Sequence, residues 1–241
     1  METILCHKHA DLSQRAAAFF MERACAKLNL VVGLPTGRTP SGMYRELRAA
    51  HSSGEVDFSG LRTFGIDELV GKGPVGHAYR NYLRLYFYSW SGIPPAHRYH
   101  LNGTAKDLRG ECAAYEEKIS ELKGLDLLIL GVGANGHIGY NEPGSFFDSR
   151  TREIRLAPES VSRIFTPLSV HPVSRGLTIG IGTILESREI LLLASGPSKR
   201  KSMAAFFNGP DTTEMPVTAL RLHSQLTVIL DRDADPRPDG K

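Results

Sequence analysis

The chain has 241 residues, 41% hydrophobic and 23% charged, the balance of a soluble globular protein built as one large α/β domain or two small ones. A chain of this length buries a substantial core without disulfide or metal staples. Its net charge of +3 is too small, and its basic residues too scattered, to argue for a nucleic-acid partner, and no apolar run approaches the ~18 residues that a membrane span needs.

Taken in order, the chain opens on a short strand, ETILC from Glu2, with no apolar signal core around it. DLSQRAAAFFMERACAK (11–27) places Leu12, Ala16, Phe19, Phe20 and Arg23 at near-helical spacing, with an acidic start and a basic end. LNLVVGLP (28–35) reads as a strand, and a helix over 39–50 follows with Pro40 just inside it. LRTFGID (61–67) is a third strand. HAYRNYLRLYFYSW (77–90) is an aromatic-rich helix whose tyrosines read as core and groove packing. AKDLRGECAAYEEKISELK (105–123) is an amphipathic helix. LDLLILGVG (125–133), GLTIGIGTI (176–184), EILLLASG (189–196) and LTVILD (226–231) complete the strands, with one more helix from Ser198 to before Gly209. The polar, proline-containing tail, 232–241, is expected to be disordered.

Most of these strands are apolar at consecutive positions, as strands covered on both faces are. Their alternation with helices predicts a single α/β domain over 1–241. Its architecture is a doubly wound, mostly parallel, Rossmann-like sheet with helices on both faces. In such a sheet ligands bind at the C-terminal strand ends. Four strands end there in glycine- or carboxylate-rich turns: GLPTGRTP (33–40), GIDELVG (65–71), GVGANGHIGYNEPGS (131–145) and ASGPSKRK (194–201).

Each turn has a plain reading beside a chemical one. GLPTGRTP can offer backbone N–H groups to a phosphate at a helix N-terminus, or be only a tight turn; it lacks the GK[ST] of a Walker loop. Lys199 opposes the dipole of the helix it begins, a conflict that an anion would remove, or it is simply solvated. Asp67 can be a general base or a helix cap. His137, five residues before Glu142, can be structural or the imidazole of a proton-transfer pair. Together these groups point to proton transfer on a small phosphorylated molecule. They do not name the reaction.

Together the loops resemble the glucosamine-6-phosphate deaminase/isomerase family. LPTGRTP, FGIDELVG, GVGANGHIGYNEPGS, SRTR (149–152) and GLTIGIGTILESREILLLASGPSKR stand in that family's order and approximate spacing. HRYHLNGTAKDLRGECAAYEEKI is similar to its segment between the second and third loops. The resemblance runs from about Leu12 to about Asp231, and NEPGS is its most specific part. The related 6-phosphogluconolactonases share the fold and a similar GH turn but carry a different sequence after it.

The resemblance implies conversion of glucosamine 6-phosphate and water to fructose 6-phosphate and ammonia. Asp67 would move the proton from C2 to C1, His137 would pass a proton to the ring oxygen, and Glu142 would orient His137. Asn135 stands where many members have aspartate; its amide would accept a hydrogen bond from the imidazole without carrying charge, so His137 would lean more on Glu142. The phosphate would rest on Thr36, Gly37, Arg38 and Thr39, with Lys199 and Arg163 as cations. The segment holding Arg163, 157–175, is shortened against longer members. Arg38 replaces a smaller residue and either adds a guanidinium to the phosphate or points to solvent.

No metal or organic cofactor is implied; the histidines and the three cysteines, Cys6, Cys25 and Cys112, form no ligand cluster. The partner is a small-molecule sugar phosphate, without nucleic acid or membrane, in the cytoplasm. Longer members are hexamers with an allosteric site partly built by a C-terminal extension. This chain ends soon after Asp231, so a monomer without allosteric activation is expected, although Arg152 is retained. A lid over the sugar is expected within 146–175. The runner-up function is a 6-phosphogluconolactonase-type lactone hydrolase, which NEPGS argues against. A sugar-responsive regulator lacks room for an N-terminal DNA-binding domain before ETILC.

Overall fold

The apolar runs fill both faces of one sheet. In the computed structural model, which describes residues 1–161 and 173–237, Leu127 and Ile129 face one hydrophobic cluster while Leu128 and Leu130 face another. The period of two along an extended strand requires that division. The strands are β1 (Glu2–Cys6), β2 (Val31–Leu34), β3 (Arg62–Gly65), β4 (Asp67–Leu69), β5 (Arg98–Tyr99), β6 (Leu127–Gly131), β7 (Arg152–Arg155), β8 (Arg175–Thr178), β9 (Glu189–Ala194) and β10 (Leu226–Asp231). Seven of them form a sheet in the order β1-β10-β9-β6-β2-β3-β5, in which every neighbouring pair is parallel.

The helices are α1 (His9–Ala26), α2 (Arg38–Ser52), α3 (Ala78–Leu83), α4 (Leu108–Glu121), α5 (Pro158–Val161), α6 (Ile181–Leu185) and α7 (Arg200–Asn208). Leu12, Ala16 and Phe20 of α1 and Met43 and Leu47 of α2 pack on the face of Leu127 and Ile129. Cys112 and Ile119 of α4, Ile184 of α6 and Met203 and Phe206 of α7 pack on the opposite face. Helices therefore cover both faces, as the doubly wound pattern predicts. Full burial of each such aliphatic side chain contributes roughly 1.5–3 kcal/mol. Arg23, part of the near-helical pattern on α1, instead joins Glu189 at 2.9 Å with its guanidinium over the Phe19 ring. Among the described residues no helix is long and apolar enough to cross a membrane.

Two expectations are corrected. GLTIGIGTI is not one strand: Arg175–Thr178 is β8, and Ile181–Leu185 is the helix α6. A short apolar run does not distinguish a buried strand from a buried helix. What starts α6 is distant in sequence, because Ser149 accepts the Ile181 amide on its Oγ (3.1 Å) and the Gly182 amide on its carbonyl (2.9 Å). LRTFGID is likewise divided, since β3 ends at Gly65 and β4 begins at Asp67 in a second, antiparallel sheet of order β4-β8-β7. Of the tail, 232–241, residues 232–237 are described, with Ala234 and Asp235 buried and the Arg237 guanidinium over the Phe207 ring; 238–241 lie outside the described residues. Glycine-free spacing of aromatics also hides a change of pitch in 77–90, where α3 continues into a π-helical turn, Arg84–Tyr88.

Asp126, immediately before β6, ties three elements together. Its carboxylate accepts Lys27 Nζ (2.7 Å), Arg188 Nη1 (2.8 Å) and the Val31 amide (2.9 Å). The carboxylate is buried while both cations are half-exposed, so most of its worth lies in satisfying the strand amide. Asp126→Ala is expected to lower stability by about 2 kcal/mol, read from the urea midpoint. An unchanged midpoint would show that these bonds contribute nothing net.

Candidate functional site

The four turns leave β9, β6, β2 and β3, which are consecutive neighbours in the parallel sheet. Their C-terminal ends therefore stand side by side, and the loops share one edge of the molecule.

The loop after β6 folds tightly on itself. Val132 bridges Ile138, and the Gly133 amide donates to the His137 carbonyl at 2.8 Å. A Cβ on Gly133 would stand 2.5 Å from the His137 ring, so only glycine lets the imidazole lie against the backbone there. His137 Nδ1 is 3.4 Å from Glu142 Oε2 and 3.3 Å from Ser160 Oγ. Glu142 also accepts Asn135 Nδ2 (2.8 Å) and the Ala157 amide (3.3 Å). Burial raises the Glu142 pKa, but the bonds from His137, Ser160 and Asn135 outweigh it and hold the group at about 2. Glu142 is thus a fixed anion across the neutral range. Asn135 differs from expectation: its Oδ1 accepts the backbone amide of His137 (3.3 Å), not the imidazole, and its NH₂ braces Glu142.

The Asn of NEPGS holds the loop from below. Fully buried Asn141 donates to the carbonyls of Ile138 and Ile179, both at 2.9 Å, and accepts Arg152 Nη1 at 2.8 Å. Arg152 reaches Ser145 Oγ as well, at 3.0 Å. The same asparagine thus links the β6 loop, the end of β8 and β7, which accounts for its place in the motif.

Asp67 begins β4, opposite Thr178 of β8. Successive strand residues point to opposite faces, and the two adjacent carboxylates separate accordingly. Glu68 turns inward and accepts the amides of Leu69, Tyr79 and Arg80, each at 2.9 Å, so it is Glu68 that caps α3. Asp67 is left as the other carboxylate, and its buried Oδ1 has no hydrogen-bond partner among the described residues. Burial, with the nearby Glu68 charge, pushes its pKa up to about 8. Burial lifts Glu68 to about 7 against the pull of the amides of Tyr79, Arg80, Leu69 and Ala78. A short chain of contacts connects Asp67 to His137: Thr178, paired with Asp67, accepts the Tyr140 amide on Oγ1 at 3.0 Å, and the Tyr140 ring lies 6.3 Å from the imidazole.

The remaining assigned residues occupy two helix starts. Thr36 and Thr39 are half-buried, Arg38 is exposed, and Gly37 has φ 106°, open to glycine alone, at the start of α2. Lys199 lies in the 3₁₀ turn Pro197–Lys199 that leads into α7. That turn is fixed by Asp231, which accepts the Gly196 amide at 3.0 Å. Arg163 lies outside the described residues, as does much of the expected lid, 162–172. Tyr79, Tyr140 and Ser160 escaped sequence reading. Tyr79 stacks on Tyr140 with their hydroxyls hydrogen-bonded, and both feel the charge of Asp67. Only Tyr140 carried a signal, inside GYNEP; Ser160 comes from a segment without pattern.

A family model described as glucosamine-6-phosphate isomerases/6-phosphogluconolactonase matches residues 7–229. A glucosamine-6-phosphate deaminase of Geobacillus sp. (strain WCH70) is 38% identical over 97% of this chain and 94% of its own. Glucosamine-6-phosphate deaminase 2 of Bacillus subtilis (strain 168) is 36% identical over 97% of this chain and 96% of its own. A solved structure described as a monomeric glucosamine-6-phosphate deaminase superposes with TM-score 0.93 at 36% identity, covering 97% of this chain and 98% of that one. The 6-phosphogluconolactonase of Trypanosoma cruzi shares the fold, with TM-score 0.77 at 23% identity over 97% and 95% of the two chains.

The raised pKa of Asp67 has a signature in stability. Below pH ~4 the group is protonated in both the folded and the unfolded chain. Between that and about 8 the unfolded chain has lost the proton and the folded one keeps it, so stability falls as pH rises through the window. Asp67→Asn removes this loss. Its stability relative to wild type is expected to rise by on the order of 2–5 kcal/mol from pH 4 to pH 8, measured by urea unfolding. A difference that stays constant with pH would contradict the raised pKa.

Proposed function

The chain belongs to the family of glucosamine-6-phosphate isomerases and 6-phosphogluconolactonases, and on that premise we propose that it converts glucosamine 6-phosphate and water to fructose 6-phosphate and ammonia. The observation that carries the reading is the buried carboxylate of Asp67, whose Oδ1 has no hydrogen-bond partner among the described residues, beside the loop that holds the His137–Glu142 pair. A carboxylate kept from water and from donors is a base in waiting. An imidazole whose Nδ1 faces a fixed anion keeps its proton there, leaving the lone pair of Nε2 to handle a substrate proton.

The roles follow from these groups. The phosphate rests on the amides and hydroxyls of Thr36, Gly37, Arg38 and Thr39, with Lys199 and Arg163 as cations. His137 takes the proton of the C1 hydroxyl on Nε2 and passes it to the ring oxygen, so the bond from C1 to the ring oxygen breaks and the C1 carbonyl forms. Asp67 takes the proton from C2 of the open-chain sugar and returns it at C1; a positioned base of this kind accelerates such a step by about 10²–10⁴. The substrate's ammonium, arriving beside Asp67, favours the ionised form that the free pocket resists. The amine then leaves as ammonia when water replaces it. Glu142 and Asn135 hold the imidazole loop in register. The monomeric description of the relative of TM-score 0.93 supports a monomer here as well. The unpaired cysteines Cys6, Cys25 and Cys112 support a cytoplasmic setting.

A coupled ammonia assay with glucosamine 6-phosphate tests the reading. Wild type is expected to release ammonia, and Asp67→Asn to lose turnover by at least about 10²-fold while still binding phosphate esters. Release of acid from a sugar-phosphate lactone, with no ammonia from the amino sugar, would move the assignment to the lactonase branch. Since the base must be ionised in the free protein, kcat/KM is expected to rise with pH toward about 8. A profile flat from pH 6 to 9 would remove Asp67 from that role.

A further inference from the structure

The loop from Pro35 to Thr39 is held from behind by two tyrosines. Tyr44, fully buried on α2, donates its hydroxyl to the Pro35 carbonyl at 2.8 Å. Tyr82, on α3, donates to the Gly37 carbonyl at 2.6 Å. The two rings meet edge to face with centroids 6.3 Å apart, and Tyr82 also stacks on Tyr86 at 4.2 Å.

A peptide unit is planar, with its C=O and the following N–H on opposite sides. A donor bonded to the carbonyl of Pro35 therefore fixes the direction of the Thr36 amide, and one on Gly37 fixes that of Arg38. Each tyrosine also holds a carbonyl dipole on its own side of the loop, away from the side that offers N–H groups. The two peptides differ in what else restrains them. Pro35 is buried directly after β2, and its carbonyl is held by a fully buried tyrosine. Gly37 has φ 106°, open to glycine alone, and is the N-cap of α2, so its carbonyl is oriented by the first turn of that helix and by Tyr82 from the neighbouring one.

We propose that Tyr82 is a positioning residue for anion binding: its hydroxyl locks the Gly37–Arg38 peptide so that the Arg38 N–H is presented to the phosphate. The inference rests on the reading of residues 36–39 as the phosphate seat. It gives an aromatic residue outside every loop motif a function that the packing role of its helix does not require. Binding a phosphate to a locked peptide costs less ordering than binding it to one that rotates.

The test compares wild type, Tyr82→Phe and Tyr86→Phe, with inorganic phosphate as a competitive inhibitor of ammonia release. Tyr82→Phe keeps the stacked ring and removes only the donor. It is expected to raise the phosphate Ki and the KM for the sugar phosphate together, by about 2- to 10-fold, the range of one hydrogen bond, with kcat within twofold. Tyr86→Phe, which keeps the stack and leaves the Tyr82 hydroxyl in place, is expected to leave both constants unchanged. If wild type is inhibited and Tyr82→Phe is inhibited equally, or if kcat falls as far as kcat/KM, the positioning role is overturned while the seat stands. If inorganic phosphate does not compete with the substrate of wild type at all, the seat itself falls and the role of Tyr82 with it.

Discussion

The site depends on a single residue that hydrogen-bonds to two sheets. Ile66 donates its amide to Leu34 of the parallel sheet (3.4 Å) and accepts the amide of Ile179, at the end of the antiparallel one (3.0 Å). The chain crosses between sheets at that point. The next residue, Asp67, therefore enters a junction rather than continuing a strand into solvent. A carboxylate there is desolvated, and its Oδ1 has no hydrogen-bond partner among the described residues, while Glu68, on the other face of the strand, accepts the amides that start α3. Desolvation without a partner is costly, and perturbed carboxylates of this kind cluster at functional sites.

The second half of the site is built on the opposite principle. Glu142 is surrounded by donors and held ionised, and through it the imidazole of His137 is oriented. Two carboxylates on neighbouring loops thus have pKa values pushed apart, one to about 8 and the other to about 2. Such separation is how one pocket performs acid and base steps at the same pH. Asn135 and Asn141 supply the bracing. Neither needs charge: one completes the shell of Glu142, and the other ties three segments at a buried point.

The architecture was legible from residues 127–130 and their like, because a strand covered on both faces must be apolar throughout. The grouping of the four loops was legible for a related reason: parallel strands deliver their C-terminal ends to one edge. The NEPGS box gave the family, and 38% identity across nearly the whole chain agrees with it. What escaped was set at a distance. The helix Ile181–Leu185 starts on Ser149, and the split of LRTFGID depends on Leu34 and Ile179. Strands of two to four residues, such as Arg98–Tyr99, are too short for any period to declare itself.

By itself the sequence determined the layers, the covered faces and the set of polar residues available at the strand ends, since these follow from side-chain period and turn chemistry within a few residues. Only the tertiary structure decided which of Asp67 and Glu68 is the free carboxylate, what Asn135 bonds, and that tyrosines from two helices reach the backbone of the loop after β2. Each of those outcomes depends on which donor arrives first in space at a given acceptor. A linear pattern contains no information on that competition until the packing of remote segments resolves it.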